Sequence, residues 1–170
     1  QLGGIPPLLS LLNGASLSST CHAANALAEL CRGNPANQNA IALAGGVGPL
    51  LSMLASRSPQ AQAAAASAAA QLAMDCRDNQ ETVARMGGLQ ALVALVGAPE
   101  PSVQAMASLA LAAICRSHVG NQTAVSEYGA ISALSSIFRG AEDAVRAEAA
   151  GALWALAEGH SANKISIASA

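Results

Sequence analysis

The sequence predicts an all-α solenoid, built from three-helix units that repeat in phase and stack one on the next. Three observations predict it. Gly3, Gly45, Gly87 and Gly129 recur at a constant offset of 42 residues, and so do Leu8, Leu50, Leu92 and Leu134, and Asn37, Asn79, Asn121 and Asn163. A fixed period of this size marks stacked helical repeats. Apolar residues make up 52% of the chain but aromatics only 2%, so the interior is Ala, Leu, Ile and Val. Small side chains suit helices in close contact and suit a sheet poorly. Within each unit a long segment also carries apolar residues at i, i+3, i+4 and i+7, the spacing of one helix face. The period divides the chain into units 3–44, 45–86, 87–128 and 129–170, which read as a single array over 1–170.

The first unit opens with a short apolar helix, Ile5–Leu12, whose Pro6 and Pro7 fall in the opening turn, where a missing N–H costs nothing. Asn13-Gly14 ends it. Ser16, Ser18 or Ser19 can cap the long helix that runs to about Arg32, and Gly33-Asn34-Pro35 stops that helix. A third, short helix spans Asn37 to Ala44, and Gly45-Gly46 turns sharply into the next unit, as befits backbones that nearly touch. The second unit repeats this with Val47–Leu54, a Ser58-Pro59 cap and a long helix to about Cys76. The third runs Leu89–Val96, a break at Gly97 to Pro101, a long helix from Ser102 to about Arg116, and Asn121 to Glu127. The fourth has Ile131–Phe138, a break at Arg139-Gly140, a helix from about Asp143 to Glu158, and a last helix from near Asn163.

The long-helix stripe is Ala23, Ala26, Leu27 and Leu30 in the first unit and Ala107, Ala110, Leu111 and Ile114 in the third. The preceding helix adds Leu8, Leu11 and Leu12, matched by Leu50, Met53 and Leu54. One unit cannot bury both stripes by itself, so neighbours must stack. Cys31 and Cys115 share a column with Ala73 and Ala157, which asks for a small apolar residue. Tyr128 and Phe138 read as core or inter-repeat contacts. Trp154 reads either as a packed residue or, if exposed, as a binding anchor.

These residues resemble the armadillo repeat. The likeness rests on Gly-Gly-Ile-Pro-x-Leu-x-x-Leu-Leu at Gly3–Leu12, on Ala-Leu-x-x-Leu at Ala26–Leu30, and on the Asn-Gln pairs Asn37-Gln38, Asn79-Gln80 and Asn121-Gln122. HEAT repeats are the near alternative; the glycine pair and the short first helix favour armadillo. The resemblance implies a right-handed α-α superhelix whose long helices line a concave groove that takes an extended peptide. The importin-type version carries a Trp and an Asn four residues apart in each repeat. Here those columns hold Asn25 and Glu29, Ser67 and Gln71, Leu109 and Ala113, and Gly151 and Ala155. The ladder is absent, and Trp154 falls three positions later, in a column of alanines. The resemblance therefore points to scaffold-type members, ankyrin–armadillo and vacuolar-type proteins among them.

The helix face opposite the apolar stripe is the candidate partner-binding surface. In the first unit it shows His22, Asn25, Glu29 and Arg32. The second contributes Ser67, Gln71 and Met74, the third Met106, Leu109 and Arg116, and the fourth Glu148, Trp154 and Glu158. This reads as a groove polar at one end with an adaptable apolar middle at Met106 and Leu109. The bland reading is a solvated face with some helix ion pairing.

Several function classes are disfavoured. A net charge of −2 gives no basic footprint for nucleic acid. The longest candidate for membrane insertion, Ala61 to Met74, is broken by Gln62, Ser67 and Gln71 and is shorter than the roughly 20 residues required. Cys76, His118 and His160 share one column, but stacked helices lie about 8–10 Å apart while zinc ligands converge within about 2.3 Å of one ion. No glycine pair is followed by the Lys-Ser/Thr of a phosphate loop. Glu142-Asp143 reads as a helix N-terminal charge pair. No metal, cofactor or catalytic set is therefore expected, and the expectation is not an enzyme.

Unpaired cysteine spacing fits a reducing, cytoplasmic setting, with a nuclear one left open. The expected role is a protein-interaction scaffold for a protein or extended peptide. The alternatives are an oligomerising array that self-associates through exposed repeat ends, or the targeting arm of a larger enzyme such as a ubiquitin ligase or kinase. A nuclear-transport adaptor is disfavoured by the missing ladder. Because the chain opens part-way through a unit and neither end is polar enough to be a cap, the sequence is expected to be an excerpt of a longer protein.

Overall fold

The computed structural model describes residues 3–14, 16–138 and 141–170. Among the described residues run twelve helices in four sets of three. The first set is α1 (Ile5–Leu12), α2 (Leu17–Cys31) and α3 (Pro35–Leu43); the second is α4 (Val47–Leu54), α5 (Pro59–Ala73) and α6 (Arg77–Arg85). The third is α7 (Gly88–Val96), α8 (Pro101–Cys115) and α9 (Val119–Glu127); the fourth is α10 (Ala130–Ile137), α11 (Asp143–Ala157) and α12 (Ser161–Ser169). The long helices lie side by side in the order α2, α5, α8, α11, and each carries the short helix that precedes it in its own unit. Among the described residues no helix is long and apolar enough to cross a membrane. The expected break at Arg139-Gly140 lies outside the described residues.

Local chemistry sets the helix starts. Ser16 and Ser58 accept from the backbone N–H groups of Ser19 at 3.3 Å and Ala61 at 3.4 Å, closing donors that a helix start leaves open. The short third helices begin two residues before the Asn-Gln pair, earlier than the sequence reading placed them. Their caps are Asn34, His118 and His160, whose Oδ1 or Nδ1 accepts from the N–H of Asn37, Asn121 and Asn163 at 3.1, 3.2 and 3.3 Å. The Cys–His–His column is thus a capping column. Cys76 makes no cap bond, and its thiol lies 3.5 Å from Asn39 Oδ1 as donor.

Two turns recur. After each of the first three short third helices, Gly45, Gly87 and Gly129 adopt φ of 81°, 82° and 84°, a left-handed conformation that reverses the chain. The next glycine solves a different problem. A Cβ on Gly88 would stand 2.6 Å from Val83 Cγ1 and 2.9 Å from the Val83 carbonyl oxygen, so the backbones meet with no room for a side chain. At the far end of each long helix, Gly33, Asp75, Ser117 and Gly159 are all left-handed, with φ of 62°, 53°, 53° and 70°.

Between units, a buried Gln amide makes the connection. Gln38 Nε2 donates to the carbonyls of Gln71 and Met74 at 2.7 and 2.9 Å, closing the C-terminal end of the next unit's long helix. Gln80 does the same to Ala113 and Arg116 at 2.8 and 3.4 Å, and Gln122 to Ala155 and Glu158 at 2.8 and 2.9 Å. Each partnering Asn ties its helix back to its own long helix: Asn37, Asn79, Asn121 and Asn163 donate to Leu30, Leu72, Ile114 and Leu156 at 2.7, 2.8, 3.0 and 2.9 Å. Orphan helix-end carbonyls in a dry interface would otherwise be costly.

The core is the expected Ala/Leu/Ile/Val interior, with Leu27, Leu72, Leu111, Ile114 and Leu156 almost fully enclosed. Three expectations need correcting. Leu30 is 36% exposed, whereas Leu72, Ile114 and Leu156 in its column are buried. The reason is packing: α5, α8 and α11 each carry the third helix of the preceding unit, and α2 has no such cover among the described residues. Leu11 is exposed in the same unit, and Leu8 is only half-buried. Tyr128 and Phe138, read as core contacts, are both exposed. Each is the residue that caps a short helix from outside, and Ala44 and Met86 in the Tyr128 column are exposed too.

Cys31 and Cys115 are buried and free. Removal from water pushes their thiols up to about 11 and about 12, so both are inert neutral packing groups.

Candidate functional site: the open face of the long helices

Each long helix keeps one stripe toward solvent. In α8 that stripe passes through Met106, Leu109 and Arg116; in α11 it passes through Glu148, Gly151, Trp154 and Glu158. Successive positions lie three, four or seven residues apart, so they share a face. Because α2, α5, α8 and α11 are neighbours in space, the stripes adjoin and make one continuous surface.

The candidate residues sit unevenly on it. His22, Asn25, Glu29 and Arg32 are all exposed on α2. Arg32 grips Glu29 through two hydrogen bonds of 3.1 and 2.8 Å, which hold the guanidinium more firmly protonated than usual. His22 and Asn25 border a shallow concavity of about 360 Å³ with Leu17, Ser18, Cys21 and Gln60 between α2 and α5. On α5, Ser67 and Met74 are half-buried, while Gln71 is closed to 9% exposure. Alanines on both sides let α2 and α8 approach α5 closely and leave little of Gln71 to solvent. On α8, Met106, Leu109 and Arg116 are half-buried. On α11, Glu148 and Glu158 are half-buried, and Trp154 is 56% exposed.

The structure brings two of these residues together across units. The Arg116 guanidinium carbon lies 5.3 Å from the centre of the Trp154 ring, a cation–π stack. Glu158 Oε2 accepts from the N–H and hydroxyl of Ser117 at 3.3 Å each. Arg116 also borders a concavity of about 280 Å³ with Asp75, Arg77, Gln80 and Ser117 at the rim of the face. Among the described residues no group of three His, Cys, Asp or Glu could hold a metal ion.

Residues 1–32 match the family model of the armadillo/beta-catenin-like repeat. The whole shape agrees with solved structures. An engineered protein determined by crystallography is similar at 29% identity with a TM-score of 0.92, over 97% of this chain and 67% of its own. A designed armadillo repeat protein in complex with the peptide (KR)4 is similar at 28% identity and a TM-score of 0.82, over 91% of this chain and 64% of its own. The chain has the armadillo-repeat fold. A second engineered protein, 30% identical with a TM-score of 0.90, aligns with 98% of this chain, which spans 41% of it. No curated protein matches the chain.

The all-α armadillo superhelix expected from the repeat pattern is therefore the fold. The armadillo pattern in the sequence also pointed to the Asn-Gln pairs, but as a helix start; their role as inter-repeat clamps was missed. A usable signal existed, since an amide recurring at a buried helix start needs a partner. The Arg116–Trp154 stack joins residues 38 positions apart, and no short-range pattern carries it.

Proposed function

We propose that this armadillo array is a non-catalytic scaffold that binds an extended peptide, or an extended segment of a protein, along the face of its long helices. The observation that carries this reading is the likeness to a designed armadillo repeat protein in complex with a peptide. The geometry suits it. Four helices about 10 Å apart present a face roughly 30 Å across, which about ten extended residues would span at roughly 3.4 Å each. The face is polar at His22 and Asn25, smooth and small over α5, and apolar at Met106 and Leu109. Such a surface selects by shape and several modest contacts. It lacks the repeated Trp and Asn of the importin type, so a partner would be read differently in each repeat.

The test is to pan a library of random peptides of about ten residues against the chain and rank the survivors on variants. Leu109→Asn and Asn25→Ala are expected to weaken the selected peptides, by about tenfold for Leu109→Asn, whereas Gln90→Ala on exposed α7 surface changes nothing. If no peptide is enriched, and the chain associates only with itself in sedimentation, the groove reading fails and the oligomerising alternative takes its place.

A further inference from the structure

We propose that Arg116, stacked on Trp154, is the anchor for a carboxylate carried by the bound peptide, with the exposed part of the indole taking an apolar side chain beside it. This rests on the groove reading above and names the partner chemistry of one place within it.

Among the described residues Arg116 is the unusual cation. Arg32, Arg77 and Arg146 each hold a carboxylate of their own helix or its cap. Arg57, Arg85 and Lys164 are exposed to water, where a lone charge is cheap. Arg116 is half-withdrawn from water, and its Nε–H is buried without an acceptor. No described carboxylate lies within ion-pair distance of it. The neighbouring acid, Glu158, is tied to Ser117 instead. A partly desolvated guanidinium without an anion is a poor arrangement for the unbound protein, and a ligand anion corrects it.

The geometry then selects the anion. Guanidinium donors form a rigid planar fork, and the carbon of this one stands over the indole, 5.3 Å from its centre. The indole holds the group from one side, and no described acceptor takes its terminal N–H groups. A fixed fork of that kind matches the two oxygens of a carboxylate. The stack also removes a site that a cationic peptide would want, since the covered aromatic face is already filled by a cation. Trp154 keeps 56% of its surface exposed next to the fork, enough to bury an apolar neighbour of the acid. The partner is a peptide with an acidic side chain next to an apolar one.

Trp154 is the chain's single tryptophan, so its emission reports on this place alone. The experiment titrates the full chain with a peptide of alternating Glu and Leu, and separately with one of alternating Lys and Leu. The acidic peptide is expected to shift Trp154 emission saturably, and the effect should weaken with added salt. Arg116→Gln should raise its Kd about tenfold or more, and Arg116→Lys, which keeps charge but loses the fork, should recover only part of the loss. Circular-dichroism melts of both variants establish that they fold. Three results overturn the proposal: no saturable change with the acidic peptide, equal binding by Arg116→Gln, or preference for the basic peptide. If panned peptides bind the long-helix face but lack acids and ignore Arg116, the carboxylate anchor is wrong and the groove reading stands. If nothing binds at all, both fall.

Discussion

At the start of each short third helix an Asn recurs in every unit, followed by a Gln in the first three. In the long-helix column that faces solvent the four units carry Asn25, Ser67, Leu109 and Gly151. The first set is buried, apart from the half-buried Asn37, and bonds to backbone carbonyls that every unit must close. The second touches little, and no backbone group depends on it. Repetition within this chain thus follows backbone need, and variation follows freedom from it. In the fourth unit the Gln column holds Lys164, which is exposed and has no further long helix to close among the described residues.

Breaking the repeated side should have the largest effects. Gly88→Val places a side chain against Val83 and its carbonyl at 2.6 and 2.9 Å, and is expected to cost about 3 kcal/mol by forcing α6 and α7 apart. Ala130 stands at this column in the last unit, so Gly88→Ala should cost less. Next in size is Gln122→Leu, which fills the same space but leaves the Ala155 and Glu158 carbonyls unpaired. About 2 kcal/mol should be lost, read as a lower urea midpoint at unchanged slope.

Alkaline pH sharpens the same contrast through the buried thiols. Cys31 and Cys115 ionise near 9.0 when unfolded but at about 11 and about 12 in the fold. Their stabilising contribution is complete below pH 9 and is lost as pH rises from there toward the folded values, by roughly 1.4 kcal/mol per pH unit for each thiol. Replacing both with Ala, which already fills this column as Ala73 and Ala157, should flatten the alkaline limb of a stability–pH curve. If the limb is unchanged, the thiols are not its cause.

The variable side should respond weakly. Asn25→Ala is expected to change stability by less than about 0.5 kcal/mol, while still altering peptide ranking. Asp75→Gly should be the one gain. It relieves a left-handed Asp at φ 53°, where Gly33 and Gly159 serve in other units, and should raise the melting temperature for a gain of about 0.5–1 kcal/mol.

Much of the fold was legible because its rules are local. Ile5–Leu12 and Val47–Leu54 were found where the apolar spacing placed them, and Ser58 caps as expected. The third helices were placed two residues late for two reasons: Asn34 was read as part of a stop although it caps, and at His118 and His160 the cap is a ring nitrogen, which a search for hydroxyls and carboxamides overlooks. Tyr128 and Phe138 were placed inside by residue type, yet position decided: both cap a helix from outside. On the open face the sequence supplied the residues of α8 and α11 but not their neighbours. Which arginine meets which tryptophan is set by the offset between two long helices, and that offset is written in the packing of alanines, not in the pair.

The Gln clamps point one way along the chain. Every one reaches forward, from a residue already made to carbonyls 33 and 36 positions later. A segment leaving the ribosome therefore meets its missing donor already in place on the part synthesised before it. Across the unit boundary, growth of the polypeptide and closure of its long rods run in the same direction.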